Sequence, residues 1–318
     1  MRESTLKRLG ATEKNIFLLA AFSAAFLLAG CLTTSKTFET ALPYLGNEPC
    51  PSCPPNPKRL ALTLAVNDIY CEDTACSCVR YVANRKYGKL QKELRKKHNI
   101  DLKLKYFMEP YDFDDAIASR KYDGAISKPW RVYAVPETSF YKRLVDISDP
   151  NGNRWLWGIL IVNKGSKFKK LADLNGVNIA MGNKCAYEKH YSALKLLAEH
   201  AVKPGKITWK ASCLESVGIL LDGEVDAAAI SNYALEASCV VDIAKKDDFR
   251  ILAETEKIPL TSVMLDMRKV SMRDAERLRR ALLAISNTDA EGKDFHGKFL
   301  APTRWDPSRK ALEERGKK

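Results

Sequence analysis

Short apolar runs that alternate with helically spaced apolar residues constrain this chain more than any other feature. Leu60-Ala61-Leu62-Thr63-Leu64-Ala65-Val66 has the length and composition of a buried strand. Val79, Val82, Ala83, Leu90 and Leu94 then recur at helical spacing, and Leu102, Leu104 and Tyr106 alternate with Lys103 and Lys105 as a strand does. A helix around Phe113 and Ile117 and a strand over 122–126 follow. Trp155 to Val162 begins a second series, with strands over 177–181, 207–210 and 225–230. Between them come helices through Tyr187, Tyr191, Leu194 and Leu197 and over 214–221. Strands at 249–253 and 262–265 lead to a helix opened by Ser271 and Asp274 at capping-box spacing. This alternation predicts an α/β fold with mainly parallel sheets. In such sheets ligands sit beyond the carboxyl ends of the strands. At about 150 residues per domain, 318 residues suggest two domains.

The N-terminus is of another kind. Arg2, Lys7, Arg8 and Lys14 precede an uncharged run from Ile16 to Gly30. Fifteen residues fall short of the roughly 20 a membrane-spanning helix needs, so the run reads as a secretory signal. It ends in Leu28-Ala29-Gly30-Cys31, which resembles the bacterial lipobox, where cleavage precedes a cysteine that is then lipidated. Residues 1–30 are thus expected to be removed, leaving Cys31 to tether the chain to a membrane face in the periplasm. Residues 31–59, with Cys50-Pro51-Ser52-Cys53-Pro54-Pro55, read as an extended linker.

Apolar residues at 46% and charged residues at 29% exclude a disordered chain and a multi-span membrane protein. The leader holds four basic and two acidic residues, so its loss lowers the formal charge from +13 to +11. An exported chain with scattered charge and no arginine-rich patch does not suit nucleic acid, but it is compatible with an anionic solute or an anionic membrane surface. Only His98, His190, His200 and His296 are available for acid–base chemistry, and no nucleophile elbow or phosphate-cradling glycine loop is present. His190 and Glu188 make the one candidate acid–base pair, but two positions apart on a helix they would not face each other. Neither an enzyme nor a resident cofactor or metal is expected.

Leu171-Ala172-Asp173-Leu174-Asn175-Gly176-Val177-Asn178-Ile179-Ala180-Met181-Gly182 resembles the "ladLkGkkvafg" segment of periplasmic solute-binding proteins. It is most similar to the phosphate/phosphite/phosphonate branch that serves ABC importers. Gly223 to Ser231, Ile258-Pro259-Leu260 and Trp305-Asp306-Pro307-Ser308-Arg309 resemble further segments of that branch, in the same order. The resemblance implies a type II periplasmic binding protein, in which two α/β lobes are joined by hinge strands. Lobe 1 would be 60–155 plus 252–318 and lobe 2 would be 156–251. It implies a monomer that holds a small oxyanion and presents it to an ABC permease or a sensor kinase.

The family's Ser-Thr-Ser-Gly turn, which starts a helix and seats the oxyanion, is replaced here by Asn183-Lys184-Cys185-Ala186-Tyr187-Glu188-Lys189-His190. If a helix still opens there, bare amides near Cys185, Ala186 and Tyr187 would seat the anion. Lys184 either adds positive charge or is a surface lysine beside a loop. The family layout also places Tyr70 and Cys71, Ser127, Lys128 and Trp130, Cys213, and Ser231 and Asn232 at the cleft. Glu215 either meets a cationic group of the solute or sits in the first turn of a helix, where acids are favoured.

Eight cysteines remain after Cys31: Cys50, Cys53, Cys71, Cys76, Cys78, Cys185, Cys213 and Cys239. An even number in an exported chain suggests disulfides. On the family layout Cys185 and Cys213 follow strands of one lobe and form the candidate bridge. The competing reading has Cys71 face Cys185 or Cys213 and grip a soft ion, as in a thiol-based, arsenite-like metalloid or soft-metal sensor coupled to a membrane kinase.

Overall fold

Two mixed sheets form this protein, and each is built on the same plan. The computed structural model describes residues 58–75, 79, 83–136, 138–286 and 295–305. The leader, Cys31, most of the tether, Cys50, Cys53, Cys76, Cys78 and the stretch from Asp306 onward lie outside the described residues. Those described all belong to one unit, Pro54–Lys318. No helix among them is long and apolar enough to cross a membrane.

In lobe 1, β1 (Leu60–Asn67) leads through α1 (Tyr87–His98) to β2 (Ile100–Tyr106), then through α2 (Pro110–Ala118) to β3 (Gly124–Ser127). These three strands are parallel, with Leu64 beside Leu104 and Gly124. After α3 (Pro129–Ala134), β4 (Tyr141–Ile147) carries the chain to the hinge strand β5 (Trp155–Leu156). Lobe 2 then runs β6 (Gly158–Asn163), β7 (Asn178–Gly182), α4 (Tyr191–Glu199), β8 (Lys206–Lys210) and α5 (Cys213–Leu221). It continues with β9 (Ala227–Ser231), α6 (Ser238–Val241) and β10 (Phe249–Glu254). The chain returns through β11 (Ile258–Pro259) to β12 (Thr261–Asp266), α7 (Met272–Ser286) and β13 (Phe299–Leu300).

The first sheet has the order β13-β4-β12-β3-β1-β2 and the second β10-β6-β9-β7-β8. In the first sheet the edge strand β13 runs against β4, and in each sheet an inner strand is set against the parallel series: β12 against β3 and also β4, and β6 against β9 and also β10. That strand is the one reached directly from the hinge, where β5 and β11 pair antiparallel. The two crossings therefore lock each lobe to the start of the other's chain segment. The second sheet runs through Glu254, three residues past the boundary at 251 that the sequence suggests.

Both faces of each sheet are covered, as parallel strands require. Leu64, Leu94, Ile126, Ile147 and Leu278 fill the core under α1 and α7, while Phe113, Ala125 and Val132 fill the opposite face. In lobe 2, Ile161, Val217 and Ile230 pack under α5, and Leu160, Met181 and Leu197 under α4. Truncating one such leucine to alanine costs about 2–5 kcal/mol.

Three elements depart from the sequence pattern. The run 155–162 divides because Trp157 leaves the sheet to pair with Asn232, whose backbone N–H donates to the Trp157 carbonyl (2.9 Å) and whose Oδ1 accepts from the Trp157 N–H (3.2 Å). Among the described residues the first helix starts at Tyr87, because Arg85 before it is held extended: its N–H donates to the Tyr70 carbonyl, and its own carbonyl accepts from Glu72. The helix after β7 starts at Tyr191 rather than near Cys185.

Candidate functional site

The carboxyl ends of β1, β3, β7 and β9 meet between the lobes. On the lobe 1 side, Asp68 fixes the turn after β1. It is fully buried, paired to Arg85 at 2.5 Å, and accepts from the Tyr87 hydroxyl (2.7 Å) and the Thr261 hydroxyl (3.2 Å). Its Oδ1 also accepts the Tyr70 amide, which places the Tyr70 ring at the cleft (3.2 Å). Burial pushes the Tyr70 phenol up, and Asp149, Asp68 and Glu236 add to the effect against Arg85, so the ring keeps its proton. Ser127 ends β3, and Pro129 at the start of α3 turns the chain so that Lys128 points across the cleft, while Trp130 is buried with Leu156, Tyr187 and Ile258.

The lobe 2 side is where the sequence-based expectation fails. The segment after β7 is a series of turns, and its first amides are already used. Asn183 Oδ1 accepts the Cys185 N–H (3.0 Å), and the Asn183 carbonyl accepts the Ala186 N–H (3.0 Å). A side-chain amide at Asn183 offers the backbone a local alternative to a helix start. Bare amides therefore do not form a seat at Cys185 and Ala186, and Lys184 is exposed.

The same segment folds back over the end of its own sheet. Glu188, 1% exposed, accepts a hydrogen bond from the Ser231 hydroxyl at 2.7 Å and lies 3.8 Å from Lys128 Nζ of lobe 1. Lys189 crosses Gly182 and donates to Cys213 Sγ at 3.4 Å. A Cβ on Gly158 would collide with the Glu188 carbonyl, and one on Gly182 with the Lys189 stem. Glycine at both positions thus makes room for this turn. Burial alone would raise the Glu188 carboxyl. Lys128, Lys189 and the Ser231 hydroxyl outweigh that and hold it below the usual carboxylate range. The corner expected to receive an anion from outside already holds the chain's own.

Tyr187 stacks obliquely on Trp130, with ring centroids 5.7 Å apart, and donates its hydroxyl to Glu256 (2.8 Å). The structure thus brings together Lys128, Trp130, Tyr187, Cys213 and Ser231, with Glu188 and Lys189 as the members the sequence reading missed. Their signal was a charged Glu-Lys pair in place of small hydroxyl residues. His190 is not an acid–base partner of Glu188: its Nδ1 lies 2.7 Å from the Gly182 carbonyl, and its ring stacks on Trp209. Glu215 sits in the first turn of α5, where its N–H donates to Oγ of the capping residue Ser212 (3.1 Å).

The cysteine expectations are corrected as well. Cys185 and Cys213 are both free thiols. Cys213 is turned toward Lys189 and Ser231, whereas the Cys185 carbonyl lies against Arg131 of lobe 1. Cys71 sits in the lobe 1 core with no exposed surface, away from both. Burial pushes its thiol up to about 12, with Asp68 adding, so it is not the thiolate that a soft ion needs. Among the described residues no three His, Cys, Asp or Glu side chains could share a metal ion. The soft-ion sensor reading is not supported.

Beside this closed corner a cavity of about 690 Å³ stays open between the lobes. Tyr70, Asp149, Trp157, Asn232, Tyr233 and Glu236 are among its lining. Of the residues expected at the cleft, Tyr70 and Asn232 face this cavity rather than the Glu188 corner.

Solved structures share this arrangement. XAC2383 from Xanthomonas citri, bound to chloride ion in one structure and to ATP in another, is 17% identical with a TM-score of 0.59; the first match covers 80% of this chain and 95% of that one. PhnD1 from Prochlorococcus marinus in complex with methylphosphonate is 11% identical with a TM-score of 0.57, covering 81% and 98%. A binding protein component of an ABC phosphonate transporter from Pseudomonas aeruginosa is 13% identical with a TM-score of 0.54, covering 77% and 82%. A search of curated proteins finds no match. The fold is that of a type II periplasmic binding protein. The family profile described as ABC transporter, phosphonate, periplasmic substrate-binding protein matches residues 81–311, and this chain belongs to that family.

Proposed function

We propose that this protein is the solute-capturing component of an ABC importer, anchored through lipid at Cys31 outside the cytoplasm and acting as a monomer. The observation that carries the reading is the cavity of about 690 Å³ between two lobes joined by the β5–β11 hinge. That volume lies in the usual range for small-molecule sites, about 300–1,000 Å³. Lys128 and Glu188, meeting from opposite lobes, support a closed state whose stability depends on contacts across the cleft. Solute bound between the lobes would favour that state by its extra affinity for it.

A small oxyanion is the second reading. Lys128 and Lys189 face one carboxylate, which leaves the corner positive, and methylphosphonate bound to PhnD1 supports that class. To take it, this chain would have to move Glu188 away from Ser231.

A thermal-shift screen of phosphate, phosphite, methylphosphonate, sulfate and organic amines tests the receptor reading. A solute at one hundred times its Kd stabilises the fold by about 2.7 kcal/mol. Stabilisation by none of them contradicts the reading. Mass analysis of the N-terminus tests the anchor: cleavage before Cys31 with added acyl mass is expected, and an intact leader contradicts it.

A further inference from the structure

We propose that Glu188 is an internal competitor for the solute's oxyanion: its carboxylate occupies the anion seat between the lobes, and a doubly charged oxyanion displaces it where a singly charged one does not. The inference rests on the receptor reading with an oxyanion as solute, and it assigns the residue that sets which oxyanion is taken.

Both lobes make the seat. Lys128 Nζ of lobe 1 lies 3.8 Å from Glu188 Oε1, and the Ser231 hydroxyl, at the carboxyl end of β9, donates to the same atom at 2.7 Å. Lys189, whose stem crosses Gly182, adds positive charge that the carboxyl feels. Ammonium groups and a hydroxyl are the donors that hold an oxyanion, and in such sheets ligands lie beyond the carboxyl ends of the strands. The anion in this place is the chain's own.

Glu188 fills the seat incompletely. Both contacts are made by Oε1, while Oε2 is buried without a hydrogen-bond partner among the described residues. A buried carboxylate oxygen without a donor is costly, and moving out to water restores its hydration. At the end of β3 the Ser127 hydroxyl is likewise buried without a partner. A tetrahedral oxyanion brings more acceptor oxygens than the single one that Glu188 uses. Glu188 also lies in the turns between β7 and α4, so it leaves the seat without unwinding a strand or a helix.

Charge decides what takes its place. A singly charged solute replaces one negative charge by another before the same lysines and gains nothing. A doubly charged one is attracted more strongly by both. The competitor therefore selects phosphate, sulfate or a phosphonate dianion over a simple carboxylate.

Calorimetric titration of the full chain in detergent tests the assignment, with phosphate, methylphosphonate, sulfate and acetate at a mildly alkaline pH where the first two carry two charges. Glu188→Gln keeps the side chain's shape and removes its charge. The variant is expected to bind a dianion about tenfold more tightly than the parent chain, or more, and to accept acetate, with circular dichroism unchanged. Glu199→Gln, which removes the same charge from the exposed end of α4, should match the parent. Equal or weaker dianion binding in Glu188→Gln overturns the proposal and leaves the receptor reading standing, as does a parent chain that binds acetate as tightly as a dianion. Binding of none of the four by parent or variant counts against both. A second measurement needs no variant: in the parent chain a bound dianion should speed amide exchange in peptides covering 187–190, because it releases the turn. Slower exchange there on binding overturns the proposal.

Discussion

Lys128 of lobe 1 and Glu188 of lobe 2 meet across the cleft at 3.8 Å, with side chains 13% and 1% exposed. Ser231 and Lys189 complete the surroundings of the carboxylate. At that distance the contact is an ion pair rather than a hydrogen bond. The Ser231 hydroxyl therefore holds Glu188 in place, and Lys128 supplies charge from the other lobe.

Removing one member of a buried pair leaves the other uncompensated. Glu188→Ala is expected to cost about 3–5 kcal/mol in urea unfolding. Ser231→Ala, which removes one donor, should cost about 1–3 kcal/mol. Equal stability of Glu188→Ala and the parent chain would contradict the buried pair.

The same carboxylate predicts acid sensitivity. Because its folded pKa lies below the unfolded value of about 4.3, its contribution is complete above that value and is lost as pH falls through the lower folded one. Unfolding free energies between pH 3 and pH 7 should therefore decline on the acid side, and less steeply in Glu188→Gln. Asp266, held low by its hydrogen bond to Arg268, keeps part of that decline in the variant.

Gly158 is expected to resist substitution for a steric reason. An added methyl group meets the Glu188 carbonyl, a backbone atom that moves only if the whole 187–190 turn moves. Gly158→Ala should destabilise by about 1–3 kcal/mol. Gly218→Ala, where nothing lies within 4 Å of the added carbon, is the control and should be neutral or stabilising within a helix. Denaturation midpoints of the two variants check the contrast.

Thiol labelling separates the cysteines by their surroundings. Cys185 is partly exposed and should react with an alkylating agent under native, non-reducing conditions. Cys71, buried and with its thiol pushed up to about 12, should react only on unfolding. Peptide mass mapping reads both. Protection of Cys185 that reduction removes would show a disulfide instead.

Much of the fold was legible because it depends on local pattern. The runs at Leu60–Val66 and Val177–Met181 and the alternation at Leu102–Tyr106 carry strand periodicity whatever packs on them. β4 was missed because Lys142 and Arg143 interrupt its apolar run, and its place between β12 and β13 is a tertiary fact. The site was less legible. Position in the family pattern located Lys128, Ser231 and Tyr187, but not the reach of one side chain to another. The helix expected near Cys185 lost to Asn183, whose side chain accepts the Cys185 amide and whose carbonyl accepts that of Ala186. Asp149 and Trp157 lie in the hinge crossing, where no periodicity marks a residue as facing a cavity.

Amide hydrogen exchange on the full chain tests the cross-cleft contact most directly. Lys128→Met alters lobe 1 alone. If the Lys128–Glu188 pair joins the lobes, peptides covering 183–190 in lobe 2 should exchange faster in the variant, while β7 and β9 stay protected. Unchanged exchange in that turn would mean that the two lobes are not held together there.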